Sequence, residues 1–271
     1  MKKRLIIFSD YGLDDACALA YLLDHAGRFD GVDVVCVAGN APAHSSLLNA
    51  QKLLDNYAGG GRPLQNIRLV STDDFLQEYA CLPSIHGEDG MGDLFPKPVK
   101  IDALSYAEWL ASLPKAAVVL SLGPCTVSLD AVKRLKNPEL VIMAGMVNAA
   151  PNHLGMEFNQ ALDPGSFNAQ LKFPHKIATL DTCRMPQFNL AGRRFEGGRL
   201  LYRLINRANE LAEARHPDNS YIYDFITALY LIEPQLFETR SVTDPWGNQL
   251  SELRVADEHF SLGEYVKGLE Q

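Results

Sequence analysis

Leu5-Ile6-Ile7-Phe8-Ser9-Asp10-Tyr11-Gly12-Leu13-Asp14-Asp15-Ala16-Cys17-Ala18-Leu19 carries an apolar run, a polar turn with three carboxylates, and a second apolar run. The first run is too short for a helix and suits a strand buried on both faces. The second continues through Ala20-Tyr21-Leu22-Leu23 with helical spacing, and Gly12 lets the chain reverse tightly between the two. A strand feeding directly into a helix is the repeating step of a parallel sheet covered by helices. The step recurs, with strands predicted at 4–9, 33–38, 67–71, 116–121, 139–144 and 176–180. Helices are predicted at 13–25, 44–57, 105–113, 125–135, 165–172, 199–214 and 223–232. The expected fold class is α/β: an open, mostly parallel sheet with helices on both faces and a Rossmann-like core. Ala58-Gly59-Gly60-Gly61-Arg62-Pro63 reads as a loop within one domain spanning 1–271.

Composition narrows the function classes. With 271 residues and 47% hydrophobic content the chain can bury a large core. A net charge of -8 and the lack of a long basic run argue against nucleic acid as a partner. Lys2-Lys3-Arg4 is followed by too short an apolar run for a signal peptide, and no later run approaches a membrane span. Cys17, Cys36, Cys81, Cys125 and Cys183 show no CxxC spacing and sit mostly among apolar residues, as reduced core cysteines do. A soluble cytoplasmic protein is expected.

Asp10, Asp14 and Asp15 crowd one turn, where like charges raise one another's pKa unless something positive joins them. A hard divalent cation with oxygen ligands is the simplest candidate. Asp14 and Asp15 also fall in the first turn of a helix, where acids cap amides and favour the dipole. Taken alone, the cluster supports cap and metal site equally. The segments after the other strands extend the pattern. Gly39-Asn40 comes after the second strand, and an insertion after the third carries His86-Gly87-Glu88-Asp89-Gly90-Met91-Gly92. Leu122-Gly123-Pro124-Cys125-Thr126 comes after the fourth, and Gly145, Glu157-Phe158-Asn159 and Asp163-Pro164 after the fifth. In a parallel sheet these ends share one rim, which is where such sheets bind ligands.

Together these residues resemble the calcium-dependent nucleoside hydrolases of the inosine–uridine-preferring type. The family signature Asp-x-Asp-Pro-Gly-x-Asp-Asp corresponds to Phe8-Ser9-Asp10-Tyr11-Gly12-Leu13-Asp14-Asp15, and Leu180-Asp181-Thr182 is a further match. Tyr223-Asp224 falls where the family usually has His-Asp-Pro. The resemblance implies that the carboxylates of Asp10, Asp15 and Asp224, with the carbonyl of Leu122, hold calcium. It implies that Asp14, Asn40, Glu157 and Asn159 bind ribose hydroxyls, that Met143 lies near the 5′ end, and that His86 belongs to the pocket wall. The remaining sugar-binding Asn aligns with Pro151, or with Asn152 after a one-residue shift. The implied chemistry is hydrolysis of an N-glycosidic bond, with calcium lowering the pKa of a bound water and Asp10 taking its proton. Tyr223 stands at the departing base. The partners implied are a small-molecule nucleoside and further copies of the chain, as dimer or tetramer.

Three departures from the family pattern have consequences. Phe8 replaces an acid beside the metal, which is expected to repack the pocket floor or weaken metal binding. Tyr11 replaces Pro and loosens the turn. Tyr223 replaces a His, and a phenol with an ordinary pKa of about 10 is the weaker acid, which favours a modified or pyrimidine base over a purine. A haloacid-dehalogenase phosphatase would need an acid at Gly12, two residues after Asp10, and lacks it. The alternative of another class is a non-catalytic nucleoside-binding protein on the hydrolase fold. Outside the rim, His44, His153 and His216 read as surface or structural residues, with His153 also within sequence reach of the base, and Cys125 reads as packing. Arg193, Arg194 and Arg199 read as surface charge, with a phosphate as the other option.

Overall fold

The computed structural model describes residues 2–61, 66–73, 75, 77–96 and 100–269. In β1 (Arg4–Ser9) every residue from Leu5 onward is buried, and alternate side chains serve opposite faces of the sheet. Leu5 and Ile7 join one apolar core with Leu19, Leu204 and Phe225, while Ile6 and Phe8 join a second with Trp109, Val119 and Val127. Burial of each such side chain contributes about 1.5–3 kcal/mol, so a continuous apolar run is what a doubly covered strand requires.

The first half of the chain continues with α1 (Leu13–Asp24), β2 (Val32–Cys36), α2 (Ala43–Gly59), β3 (Ile67–Ser71), α3 (Pro83–His86), β4 (Ala103–Ser105) and α4 (Tyr106–Ala111). Next come β5 (Ala117–Ser121), α5 (Cys125–Val132), β6 (Glu139–Met143), α6 (Phe158–Leu162), α7 (Pro164–Gln170), β7 (His175–Ala178) and α8 (Leu180–Cys183). The chain then forms α9 (Leu200–Glu213), α10 (Tyr223–Ile232), β8 (Phe237–Thr243), β9 (Gln249–Val255) and α11 (Leu262–Gly268). Among the described residues the strands form one sheet in the order β4-β3-β2-β1-β5-β6-β7-β9-β8. All neighbours pair parallel except β8 with β9. Helices α1, α9 and α10 cover one face, and α4, α5 and α7 contribute to the core on the other. From β1 the sheet grows outward through β2 to β4, and from β5 it grows the opposite way. The crevice between the carboxyl ends of β1 and β5 is therefore the switch point at which such sheets take ligands.

Several boundaries differ from the sequence reading for local reasons. The helix expected at 105–113 starts one residue late, because Ser105 ends β4 and caps α4 by accepting from the Glu108 N–H. The strand expected at 176–180 stops at Ala178, and Leu180 already begins α8. Ala58 and Gly59 complete α2 instead of opening a loop, and positions 62 and 63 lie outside the described residues. The β8–β9 hairpin and α11 have no counterpart among the predicted elements. Among the described residues no helix is long and apolar enough to cross a membrane.

Candidate active site

Ser9-Asp10 ends β1 and Leu122-Gly123 follows β5, so both reach the switch point. Gly12 begins α1 at φ -77, and it is glycine for reasons of space: a Cβ there would lie 2.7 Å from Asn40 Nδ2 and from His86 Cε1. Gly39 is tighter still, since its Cβ would lie 1.9 Å from Asp10 Oδ2. The contact lets the Asn40 backbone N–H donate to Asp10 Oδ2 at 2.8 Å while Asn40 Nδ2 donates to Oδ1 at 3.1 Å.

Asp14, Asp15 and Asp224 each present a carboxylate oxygen to a common point, all within 4.8 Å of one another. Asp224 arrives from the first turn of α10, which packs on α1. Asp15 takes the capping role: its Oδ2 accepts from the Gly12 N–H at 2.8 Å and caps α1, and its Oδ1 accepts from Ser9 Oγ at 2.6 Å. Asp14 caps nothing. Its Oδ1 is buried without a hydrogen-bond partner. Burial pushes the Asp10 and Asp224 carboxyls well above the usual carboxylate range, and the negative charge of Asp15 adds to both shifts. Burial, then Asp14, raises Asp15 to about 6, against the opposing bonds from Ser9 and Gly12. His86 does not neutralise the cluster. Its Nδ1 accepts from the Leu13 N–H at 3.0 Å, so that nitrogen carries no proton, and it stands 3.7 Å from Asp14 Oδ1. Burial also lowers the His86 pKa. An all-oxygen, buried, mutually repelling donor set with one orphaned oxygen fits a hard cation.

Glu157 precedes α6 and caps it, accepting from Asn159 and Gln160 N–H, while Gly145 N–H donates to its Oε2 at 2.9 Å. Burial raises Glu157 to about 7 although these three bonds oppose the shift. Asn159 Nδ2 donates to the Leu122 carbonyl at 2.6 Å and to the Met143 carbonyl at 3.0 Å, tying together the ends of β5 and β6. One lone pair of the Leu122 carbonyl is thereby taken and the other remains.

These groups border a cavity of about 530 Å³, a volume suited to a small-molecule ligand. Its wall includes Asp14, Asn40, His86, Leu122, Met143, Asn152, Glu157, Asn159, Tyr223 and Asp224. Of the two positions aligned with the family's remaining Asn, Asn152 borders the cavity and Pro151 does not. Asp10 and Asp15 are buried and do not border it; Asn40, which does, covers Asp10. The sequence reading missed Arg184, Arg215, Asn219 and Tyr221 on the wall. Arg184 closely follows the Leu180-Asp181-Thr182 motif, and that adjacency was the available signal; Arg215, just past the end of α9, offered none.

Of the other expectations, those for Phe8, Tyr11 and His216 are corrected, and those for His153, Asp163 and Cys125 hold. Phe8 does not repack the pocket floor: it points into the second core and meets Trp109 edge-on with ring centroids 6.1 Å apart. Tyr11 does not merely loosen the turn; it sits at φ 51, a left-handed conformation closed to proline, with its ring buried. His216 borders the cavity instead of lying apart from it. His153 is not on the cavity wall and packs against Phe158 at 5.2 Å. Arg193, Arg194 and Arg199 pair with Glu264, Glu213 and Asp24. Asp163 caps α7 as expected, and Cys125 is buried packing.

Residues 5–257 match the family model described as inosine-uridine preferring nucleoside hydrolase. An uncharacterised protein of Schizosaccharomyces pombe is 25% identical over 268 residues, which covers 88% of this chain and 83% of that protein. A probable uridine nucleosidase of Oryza sativa subsp. japonica is 27% identical over 164 residues, covering 56% of this chain and 49% of that protein. Among solved structures, an inosine-guanosine nucleoside hydrolase superposes with a TM-score of 0.68 at 20% identity, over 98% of this chain and 91% of that one.

Proposed function

Because this chain belongs to the inosine-uridine preferring nucleoside hydrolase family, we propose that it cleaves the N-glycosidic bond of a ribonucleoside or modified nucleoside at the cavity beside Asp14 and Asp224. The observation that carries the reading is the buried carboxylate cluster, with the orphaned Asp14 oxygen, bordering a nucleoside-sized cavity at the switch point. The family is metal-dependent in general, and calcium is the ion proposed here, held by Asp15 and Asp224 of the converging group, with Asp10 and the Leu122 carbonyl added on the family resemblance. When bound, the ion supplies positive charge that draws in the ribose hydroxyls and the hydrolytic water and eases loss of the water's proton.

The remaining work falls to the chain. Asp10 accepts the proton from the attacking water; Asn40 occupies two of its four lone-pair positions and holds it in place. The water oxygen bonds to the anomeric carbon as the C–N bond breaks, and the electron pair leaves with the base. Positive charge that develops on the ribose is stabilised by Asp14 and Glu157. Asn40, Asn152 and Asn159 orient the sugar, and Met143 packs beside it. Tyr223 donates to the departing base, and His86 presents its second ring nitrogen to the cavity as a donor. The reading extends to a cytoplasmic homo-oligomer, dimer or tetramer, supported by the family resemblance and the buried, unpaired core cysteines.

Replacing Asp10 tests the assignment. Asp10→Ala should abolish ribose release with the fold retained, and unchanged turnover would remove Asp10 from the role of base.

A further inference from the structure

Two arginines share the cavity with the acidic cluster. Arg184 and Arg215 both border it, and among the described residues neither pairs with a carboxylate. Elsewhere the arginines mostly do: Arg4 and Arg68 meet Asp33, Arg134 meets Asp130, and Arg240 meets Glu238. Arg184 Nε donates to the Tyr223 hydroxyl at 3.2 Å, and its Nη1 donates to the Ala150 carbonyl at 2.7 Å. Arg215 Nη1 donates to the Ser84 carbonyl. These acceptors are neutral, so neither guanidinium has a hydrogen-bonded counter-charge, and neither Nη2 has a protein acceptor among the described residues. Glu157 feels the Arg184 charge but gives it no hydrogen bond, because its oxygens are taken by backbone N–H groups.

The two guanidiniums act on one end of the cavity. Arg184 lies 6.0 Å from the centroid of the Tyr223 ring, and Arg215 interacts electrostatically with both Tyr223 and His86. In a chain of net charge -8 whose cavity carries an acidic cluster, two arginines without a carboxylate partner give the site an anion-binding part as well as a cation-binding one. A neutral nucleoside would use only the cation-binding part. We infer that the substrate is an anionic nucleoside, whose carboxylate or phosphate lies between Arg184 and Arg215 beside Tyr223. Arginine suits this role because its planar donor fork matches both groups. The inference rests on the hydrolase reading for its sugar, and on the arginines alone for its charge.

Two sources of the anion share this chemistry: a 5′-phosphate, or a carboxylate on the base. The test compares uridine, uridine 5′-monophosphate and orotidine, a uridine carrying a base carboxylate, each with calcium present. Two readouts are taken on the full chain, ribose release and the rise in melting temperature that each compound produces. A charge-assisted hydrogen bond shifts affinity by roughly 10- to 100-fold, so one of the two anionic compounds should have a KM at least about 10-fold below that of uridine. Preference for the monophosphate assigns the anion to the 5′ side, and preference for orotidine assigns it to the base. Arg215→Gln, at an exposed position, should reduce the anionic-to-neutral preference by about 10-fold, and added salt should erode the same preference. If uridine is bound and cleaved as well as both anionic compounds, the inference fails while the hydrolase reading stands. If an anionic compound raises the melting temperature in an arginine-dependent way and no compound is cleaved, the anion site stands and the hydrolase reading fails.

Discussion

Asp10→Asn separates the proposed catalytic role of this residue from its structural one. The substitution keeps both bonds to Asn40. The new side-chain oxygen can take the place of Oδ2, which accepts from the Asn40 N–H at 2.8 Å. The new amide then faces Asn40 Nδ2, where Oδ1 now accepts at 3.1 Å, and a flip of the Asn40 amide restores that bond. No buried donor is orphaned, and one acid leaves a cluster whose members repel one another. Stability without metal should therefore change by less than about 1 kcal/mol or rise. For a chain of this size that is a shift of about 2–4 °C at most, or a gain. Asp10→Ala differs, because it leaves two Asn40 donors unpaired, at about 1–3 kcal/mol for each buried group. Activity should follow another order. Loss of a general base lowers kcat by about 10²–10⁴, or about 2.7–5.4 kcal/mol at 1.36 kcal/mol per decade, for both variants. The assay is ribose release at several calcium concentrations, which separates a weakened ion site from a lost base, together with thermal unfolding in chelator. An Asp10→Asn enzyme that keeps more than about a tenth of wild-type kcat at saturating calcium would refute the assignment. The role would then pass to Asp14, which borders the cavity and carries an unpartnered oxygen.

Three further outcomes rest on the same geometry. Asp33 is fully buried, and burial would raise its pKa, but bonds from Arg68, Arg4 and the Trp109 indole outweigh that and hold it below the usual range. Its contribution is thus complete above the unfolded pKa of about 4 and is lost as pH falls through the lower folded pKa. Asp33→Asn should cost about 3–5 kcal/mol at pH 7 and flatten the acid limb of a melting curve against pH; an unchanged acid limb would contradict the network. Gly39→Ala should abolish activity or fold, since its Cβ would meet Asp10 Oδ2 at 1.9 Å, and an active, stable variant would show that the turn relaxes freely. Tyr223→Phe keeps the ring against Arg184 and removes only the hydroxyl, so kcat should fall by about 10²–10⁴ for bases that need a proton and less for bases that leave readily as anions. An equal fall for both base types would argue against Tyr223 as the donor.

Much of the site was legible because a parallel sheet gathers sequence-distant residues at one rim. Asp10 and Asn40 each closely follow a predicted strand, so their proximity came from topology before any distance was known. Asp224 is on a different footing: it joins the cluster through packing of α10 on α1, and only the family motif singled it out. Side-chain direction was less legible than position. Phe8 follows β1's alternation into the far core, which a motif alignment that set it beside the metal did not register. Arg184 and Arg215 were not singled out in the sequence, whereas Arg193, Arg194 and Arg199 read as surface charge with a phosphate as the other option. The folded chain pairs those three with acids, removing the phosphate option, and places Arg184 and Arg215 on the cavity wall. The β8 strand escaped notice because Phe237–Thr243 is mostly exposed and polar at the sheet edge, where no apolar period is demanded.

The most direct test of the central claim is release of free ribose from a panel of purine, pyrimidine and modified nucleosides and their 5′-monophosphates, with calcium and with chelator. The account predicts release from at least one member, dependent on calcium and abolished by Asp10→Ala. No release from any member, in protein whose melting temperature calcium still raises, would contradict it.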